Sequence, residues 1–473
     1  MTGGGRAMFR GTVVWLIGVG LTVWGRPVRG AEGKDRPIDG PWPQYDANPF
    51  VIKMEIPPPK DSAGGIIVFD VDDDGLIDYL VSVPGHIAAY NHGGKKLWVA
   101  KVDVRVGGSS EQQGLPGHNG PGLQAGDCDG DGHTEVLFLT QDGKLHILAG
   151  ATGAEKSSVA PPQPFPDGMA WQHLVLCNLR GKGDRDLVLQ TTNKTGYKMG
   201  RYVAAYALDA PTKPLWQTDG YLGCAHTGLR VADLNGDGLD EVLGATVFGP
   251  DGKLLFSLPM KEGHMDSLFV GPVLPGVKTL QIVGLQEGGG NHVFLWDHEK
   301  LHWQTHHQNT EPQNAAIGQF DPARPGMQIW CRSRYDEHQK PFVFDAAGKL
   351  IGEYEMDKVA PKGWTTKGVE VIYTIDWTGQ PKQLAAAKER HMSGDVCLFD
   401  GVTGQFVQTF KSKADRLYVA DVSGDWREEI IVLVGNELHI YHNPAPDPQP
   451  KQTRLWHRPW YRRSKMTHNY YCP

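Results

Sequence analysis

Three stretches of the chain carry carboxylates at a spacing that suits a single hard cation. Each follows D-x-D/N-x-D-G-x-x-D/E: Asp70, Asp72, Asp74, Gly75, Asp78; Asp127, Asp129, Asp131, Gly132, Glu135; and Asp233, Asn235, Asp237, Gly238, Glu241. Calcium takes about six to eight oxygens in an adaptable cage. Alternate side chains of a tight loop can aim at one centre. Glycine allows the sharp turn after the third ligand, and the ninth residue returns a carboxylate from the next strand. Without a cation these acids would repel one another. A fourth stretch keeps Asp421, Ser423, Asp425 and Glu429, with Trp426 in the glycine place. Calcium is expected in all four, clamping a strand-to-strand turn. A catalytic metal needs an open coordination position, and this spacing shows none.

A second set of residues suits acid–base chemistry and sugar contacts. His118 and Asn119 (GHNGPG), His226 (CAHTG), His264 and Asp266 (GHMDS), Gln313 and Asn314 (EPQN) and Lys367 (TKG) each lie just before an apolar run. Histidine titrates near neutrality and so can accept or return a proton. Equivalent positions in a ring of repeats would bring the three histidines to one pocket. The alternative is that each bonds the backbone of its own loop.

The elements that would position these residues recur with a period of about 50, a propeller-blade length. Eight apolar runs can be aligned: IIVFD (66–70), LQAGD (123–127), LVLCN (174–178), LRVAD (229–233), LFVGP (268–272), AIGQFD (316–321), VIYTID (371–376) and LYVAD (417–421). A second run and a hairpin follow each, with Gly-Gly, Asp-Gly or Thr-Gly at the turns, as tight hairpins require. Four strands per unit and eight units predict an all-β, eight-bladed β-propeller, whose ring leaves only short edges. A two-sheet sandwich array is the alternative. In unit eight the fourth strand is expected from Arg454–Trp456. Unit three keeps Asn178, Gly183 and Asp186 but has Arg180 and Lys182 at ligand places, where a fixed cation can stand in for a metal. Units five to seven keep at most Asp321 or Asp376, so calcium is not expected there.

Composition agrees with many turns around a large core. The 473 residues include 60 glycines and 33 prolines, and 40% are hydrophobic. That glycine share is roughly twice the usual one. Net charge is −7, with no basic stripe, so no nucleic-acid partner is expected. Residues 1–30 read as a secretory signal. Arg6 and Arg10 precede an apolar stretch, Gly11–Trp24, that is short for a membrane span. A secreted or periplasmic protein, a monomer with no span after signal removal, is expected. A Pro-rich segment follows (31–60), and the propeller takes 61–473, with an aromatic, basic tail. Either 32–60 or 451–473 is expected to supply a strand that closes the ring. The cysteines, Cys128, Cys177, Cys224, Cys331, Cys397 and Cys472, match no zinc or small disulfide pattern.

The strings GHMDSLFVGPVLPG (263–276) and FDPARPGMQIW (320–330), together with the acidic loops and the eight units, resemble polysaccharide lyase family 11 over roughly residues 60–445. FG-GAP, VCBS and integrin-like repeats share the acidic loops but not those two strings. The chain departs from the family pattern at Pro272, where an Asp is expected, and at Ala316, near an expected Arg. The resemblance implies a calcium-binding propeller that cleaves rhamnogalacturonan, an acidic pectic polysaccharide, by β-elimination. It implies His264 or His226 as base, Asp266 orienting a partner or holding a metal, and Arg230 pairing the uronate carboxylate. His118, Asn119, Gln313, Asn314 and Lys367 would line the sugar site. Two other readings remain: a glycan-binding propeller without chemistry, and an integrin-like protein-binding one.

Overall fold

The computed structural model describes residues 1–3, 42–59, 64–105, 122–165, 170–192, 201–224, 228–307, 311–333, 337–390, 393–449 and 454–466. The signal stretch and the residues His118, Asn119, His226 and Cys472 lie outside them. Among the described residues no helix is long and apolar enough to cross a membrane, and the five cysteines there are buried.

Eight antiparallel sheets of four strands form the ring. The first strands are Gly65–Phe69, Leu123–Gly126, His173–Cys177, Arg230–Ala232, His264–Gly271, Pro312–Gly318, Val369–Ile375 and Arg416–Ala420. They touch one another around the central channel. The next two strands of each sheet are almost wholly buried, because both faces pack on neighbouring blades. Outer strands stay largely in water, as in Leu254–Ser257 and Phe406–Phe410.

Two local devices fix the blades. The first clamps the turn after the inner strand. The backbone N–H of Val71 donates to Asp78, Cys128 to Glu135, Leu179 to Asp186, Leu234 to Glu241 and Val422 to Glu429, at 2.8–3.0 Å. Units five and six make the same bond through neutral amides, Leu274 to Gln281 and Asp321 to Gln328. This register corrects the alignment of those two units by one residue. Val273 and Phe320, not Pro272 and Asp321, stand at the first ligand place. The second device joins blades. Trp216 and Trp303, on outer strands, donate their indole N–H to Pro250 O (2.9 Å) and Ala346 O (3.0 Å) in the next blade's hairpin turn. Glycine is required at that turn: a Cβ at Gly252, whose φ is +79°, would lie 2.6 Å from the Trp216 ring.

The ring closes through the Pro-rich segment. Phe50–Lys53 pairs antiparallel with Glu437–Tyr441 and completes sheet eight. Arg454–Trp456 is therefore not the fourth strand. Leu455–His457 forms a 3-10 turn, and helix Pro459–Met466 follows. That helix seats in the channel. Gln124 Nε2 donates to Met466 O (2.6 Å), Tyr418 OH to Lys465 O (2.7 Å) and Lys465 Nζ to Val419 O (2.6 Å). Arg463 bridges Asp184 (2.7 Å) and Asp240 (2.9 Å). Arg463 and Lys465 of the basic tail are thus spent inside the ring.

Candidate functional site

The acidic loops lie on the face where inner strands end. In unit one, Asp70, Asp72 and Asp78 bring oxygens within 4.8 Å of one another. Burial, and then the neighbouring acids, push the Asp70 carboxyl up to about 7. Burial, with Asp72 and Asp70 beside it, pushes Asp78 up to about 8. In unit four, burial is again the first cause and Asp237 and Asp233 add to it, raising Glu241 to about 7. Such acids hold protons because burial and like charges disfavour the ionised form. Their oxygen-only donor sets could hold calcium. Unit two gathers Asp127, Asp129 and Glu135 in the same way. There, however, Lys156 Nζ reaches Asp129 (2.6 Å), Asp131 (3.0 Å) and Glu135 (2.8 Å). This set fits a metal only when the lysine withdraws.

Unit eight departs from expectation. The fully buried Arg454 guanidinium pairs with Asp421, donates to Asp425 O (2.9 Å) and Gly424 O (3.0 Å), and stacks 3.6 Å above the Trp42 ring. Arg427 holds the Asp425 carboxylate. The set Asp421, Ser423, Asp425 and Glu429 is thus closed by a guanidinium rather than open to calcium. Unit three behaves as its sequence implies, with Arg180 Nε 2.6 Å from Asp186 Oδ1.

The opposite face, where inner strands begin, is built differently around the ring. Inner strands of blades five, six and seven have seven or eight residues, against three to five in the others. Each of the three carries a β-bulge at its start: between Met265 and Ser267, between Pro312 and Asn314, and between Val369 and Ile372. Bulges re-aim side chains and cluster beside active sites. The bulges carry polar residues: Asp266, Gln313 and, beside Val371, Glu370.

In blade five the bulge brings His264, Asp266 and Glu287 together. His264 Nε2 lies 3.6 Å from Glu287 Oε2 and 3.8 Å from Asp266 Oδ1, and all the ligand atoms fall within 4.8 Å. Glu287 is the register partner of His264 on the next strand. Behind it runs the turn Gly288-Gly289-Gly290, all at positive φ. A Cβ at Gly289 would come within 2.4 Å of Glu262 O, so only glycine lets this turn press against the site. One imidazole and two carboxylates could hold a divalent cation.

Cations follow in blades six and seven. Ser267 Oγ donates to Gln313 O (2.9 Å), and Gln313 Oε1 accepts from Arg332 Nη2 (2.8 Å). Arg332, wholly buried, also reaches Glu370 O (3.4 Å), and Lys388 sits 3.8 Å from the Glu370 carboxylate. Acid and base groups therefore adjoin cations within three consecutive blades.

Of the residues singled out from sequence, His264 and Asp266 meet in this cluster, and Gln313 lines its cationic flank. Lys367 is exposed in the connection before the strand Val369–Ile375, on the same face. Asn314 is completely buried and gives its amide to Glu370 O, so it serves the ring rather than a sugar. Arg230 is also misplaced for its expected role. It is level with Phe269, 5.7 Å above that ring, about 16 Å along the strand from His264 at about 3.3 Å per residue. It lines a separate channel cavity of about 170 Å³ with Phe269, Tyr373, Trp460, Glu428 and Lys465. Glu287 and Arg332 escape sequence reasoning. Their only signal is strand pairing, opposite His264 and Asn314.

Comparison with known proteins agrees with the propeller fold. Rhamnogalacturonan endolyase YesW of Bacillus subtilis is 24% identical over 93% of this chain and 75% of its own. Rhamnogalacturonan exolyase YesX of the same organism is 25% identical over 73% of this chain and 62% of its own. The crystal structure of YesX superposes with a TM-score of 0.69, at 21% identity, covering 89% of this chain and 81% of that one. The model of the rhamnogalacturonan lyase family 11 C-terminal domain matches residues 180–471, well over half of the chain, which therefore belongs to that family.

Proposed function

We propose that this protein is an exported, calcium-stabilised polysaccharide lyase that cleaves rhamnogalacturonan-type pectin by β-elimination at the channel mouth over blades five to seven. The supporting observation is the His264–Asp266–Glu287 cluster on bulged strands beside Arg332. YesW is an endolyase and YesX an exolyase.

Elimination from a uronate ring requires three things: a neutralised carboxylate, a base for the C5 proton and a route for the C4 leaving group. A divalent cation held by His264, Asp266 and Glu287 would neutralise the carboxylate and acidify the C5 proton. Arg332 and Lys388 add positive potential on the same side. The proton goes to His226 where His264 is bound to the cation, and to His264 where Asp266 and Glu287 hold the cation without it. The C5–H electron pair becomes the C4=C5 double bond, and the glycosidic oxygen on C4 leaves and is protonated by water. Calcium in units one and four, and in unit two once Lys156 withdraws, would hold the opposite face rigid.

The test is ultraviolet absorbance of the protein mixed with rhamnogalacturonan I, first in calcium and then in chelator. A calcium-dependent rise reports the conjugated double bond. Folded protein that gives no rise on any uronate polymer would sink the lyase and leave a glycan-binding propeller.

A further inference from the structure

We propose that blade six carries a second divalent-cation site on this same face, made by His338, Glu355 and Asp357, and that it takes a first-row transition metal. These residues come from two connections that the sequence leaves far apart: the one after strand Gln328–Ser333 and the one after strand Leu350–Glu353. Both connections lie on the face where inner strands begin. The site shares no residue with the His264 cluster and does not depend on the reading of the protein as a lyase.

His338 Nδ1 stands 2.9 Å from Asp357 Oδ1, 3.1 Å from Oδ2 and 3.9 Å from Glu355 Oε2. One atom from each residue falls within a 4.8 Å group. The side chains are 29%, 33% and 10% exposed for His338, Glu355 and Asp357, so a metal could enter and keep positions for water or a ligand carboxylate. Glu355 also declines its local task. It is the N-cap of the short helix Met356–Val359, yet its carboxylate makes no capping bond and turns toward His338.

The frame is rigid. Gln339, next to His338 and wholly buried, exchanges two bonds with Val369 through its amide, each 2.9 Å. Its backbone accepts from Met356 N and donates to Thr366 O, also at 2.9 Å. Gly368, at φ +72°, makes room: a Cβ there would meet Gln339 Oε1 at 2.1 Å. The donors are thus held in place before any metal arrives, the arrangement that favours binding.

Imidazole with carboxylates suits zinc, manganese or cobalt, whereas calcium prefers oxygen alone. Lys340 lies 3.6 Å from Glu355 and Lys358 lies 3.9 Å from Asp357, offsetting part of the charge. Both lysines are more than half exposed and free to swing outward.

The test is zinc titration by calorimetry, plus the visible spectrum with cobalt, on the full chain in saturating calcium. His264→Ala serves as the parent so that the blade-five cluster does not contribute. Adding His338→Ala should remove one zinc equivalent, or weaken it at least about tenfold, and should remove the cobalt bands. Asp357→Asn should weaken zinc similarly, with an unchanged melting curve showing that the fold survives. His439→Ala is the control. It removes a partly buried histidine paired with a single acid, Glu437 (3.0 Å), and should change nothing. Equal zinc stoichiometry with and without His338, or an equal loss from His439→Ala, overturns the site.

Discussion

Blades four and five are neighbours on one plan, yet they place their carboxylates at opposite ends. Blade four keeps Asp233, Asp237 and Glu241 in the turn after its inner strand, and the described strand Arg230–Ala232 carries no bulge. Blade five has Val273 and Gln281 at the corresponding turn places and keeps its acids, Asp266 and Glu287, at the channel mouth. The turn bond is the same in both: Leu234 N to Glu241 at 2.8 Å, Leu274 N to Gln281 at 2.9 Å. A neutral amide is therefore enough for the fold. Where a carboxylate stands instead, the charge serves something other than the turn, and a cation is the obvious partner.

The largest expected effect falls on the mouth of blade five. His264→Ala should lower kcat/KM on rhamnogalacturonan I by roughly 100- to 10,000-fold, the usual weight of acid–base catalysis. Stabilisation by calcium should persist, because blade four is untouched. Loss of both together would erase the division of labour between the two ends.

Exchanging the turn residues sharpens the same comparison. Gln281→Glu puts a charge at a wholly buried place with no neighbouring acids to share a metal. It should destabilise by about 1–3 kcal/mol at pH 8 and less at pH 5, read by chemical denaturation. Glu241→Gln should do the reverse. It keeps the bond to Leu234 but removes a ligand charge, so calcium binding at that site should weaken by about tenfold, or ~1.4 kcal/mol, by calorimetry. Stability in chelator should not fall. If Gln281→Glu proved neutral and Glu241→Gln bound calcium fully, the acid and the amide would be equivalent and the argument from charge would fail.

The ring and its loops were legible because their signals are local. A hairpin turn, an apolar run and a nine-residue acid pattern each fit within one unit, and Arg180 beside Asp186 lies within one loop. What escaped depends on pairing between distant segments. Phe50–Lys53 finds Glu437–Tyr441 across the whole chain. Arg454 reaches Asp421 only after the tail folds back, which is how a guanidinium comes to stand among the acids of unit eight. The mouth shows both cases at once. His264 and Asp266 stand out in GHMDS, but Glu287 and Arg332 gain meaning only from the register that sets them opposite His264 and Asn314. Arg230 failed for a related reason: its type suited a uronate, but its depth along the strand did not.

The smallest effect expected is also the most direct test of the open acidic loops, and it is a pH dependence. In the metal-free fold Asp70 and Asp78 are raised from 3.8 to about 7 and about 8, and burial is the first cause for both. The folded chain then holds more protons than the unfolded one between those limits, so stability must decline as pH rises from about 4 to about 8. Calcium takes the place of the protons and should reverse the slope, stabilising most at pH 8 and little at pH 5. Thermal melts across that range, with calcium and with chelator, would show two curves that converge in acid and part above neutrality. Asp78→Asn should flatten the chelator curve, since an amide keeps the turn bond without the charge. A chelator curve that instead rose with pH would mean that fixed cations such as Lys156 already satisfy these loops, and blade one would then belong with blade eight, closed by its own chain.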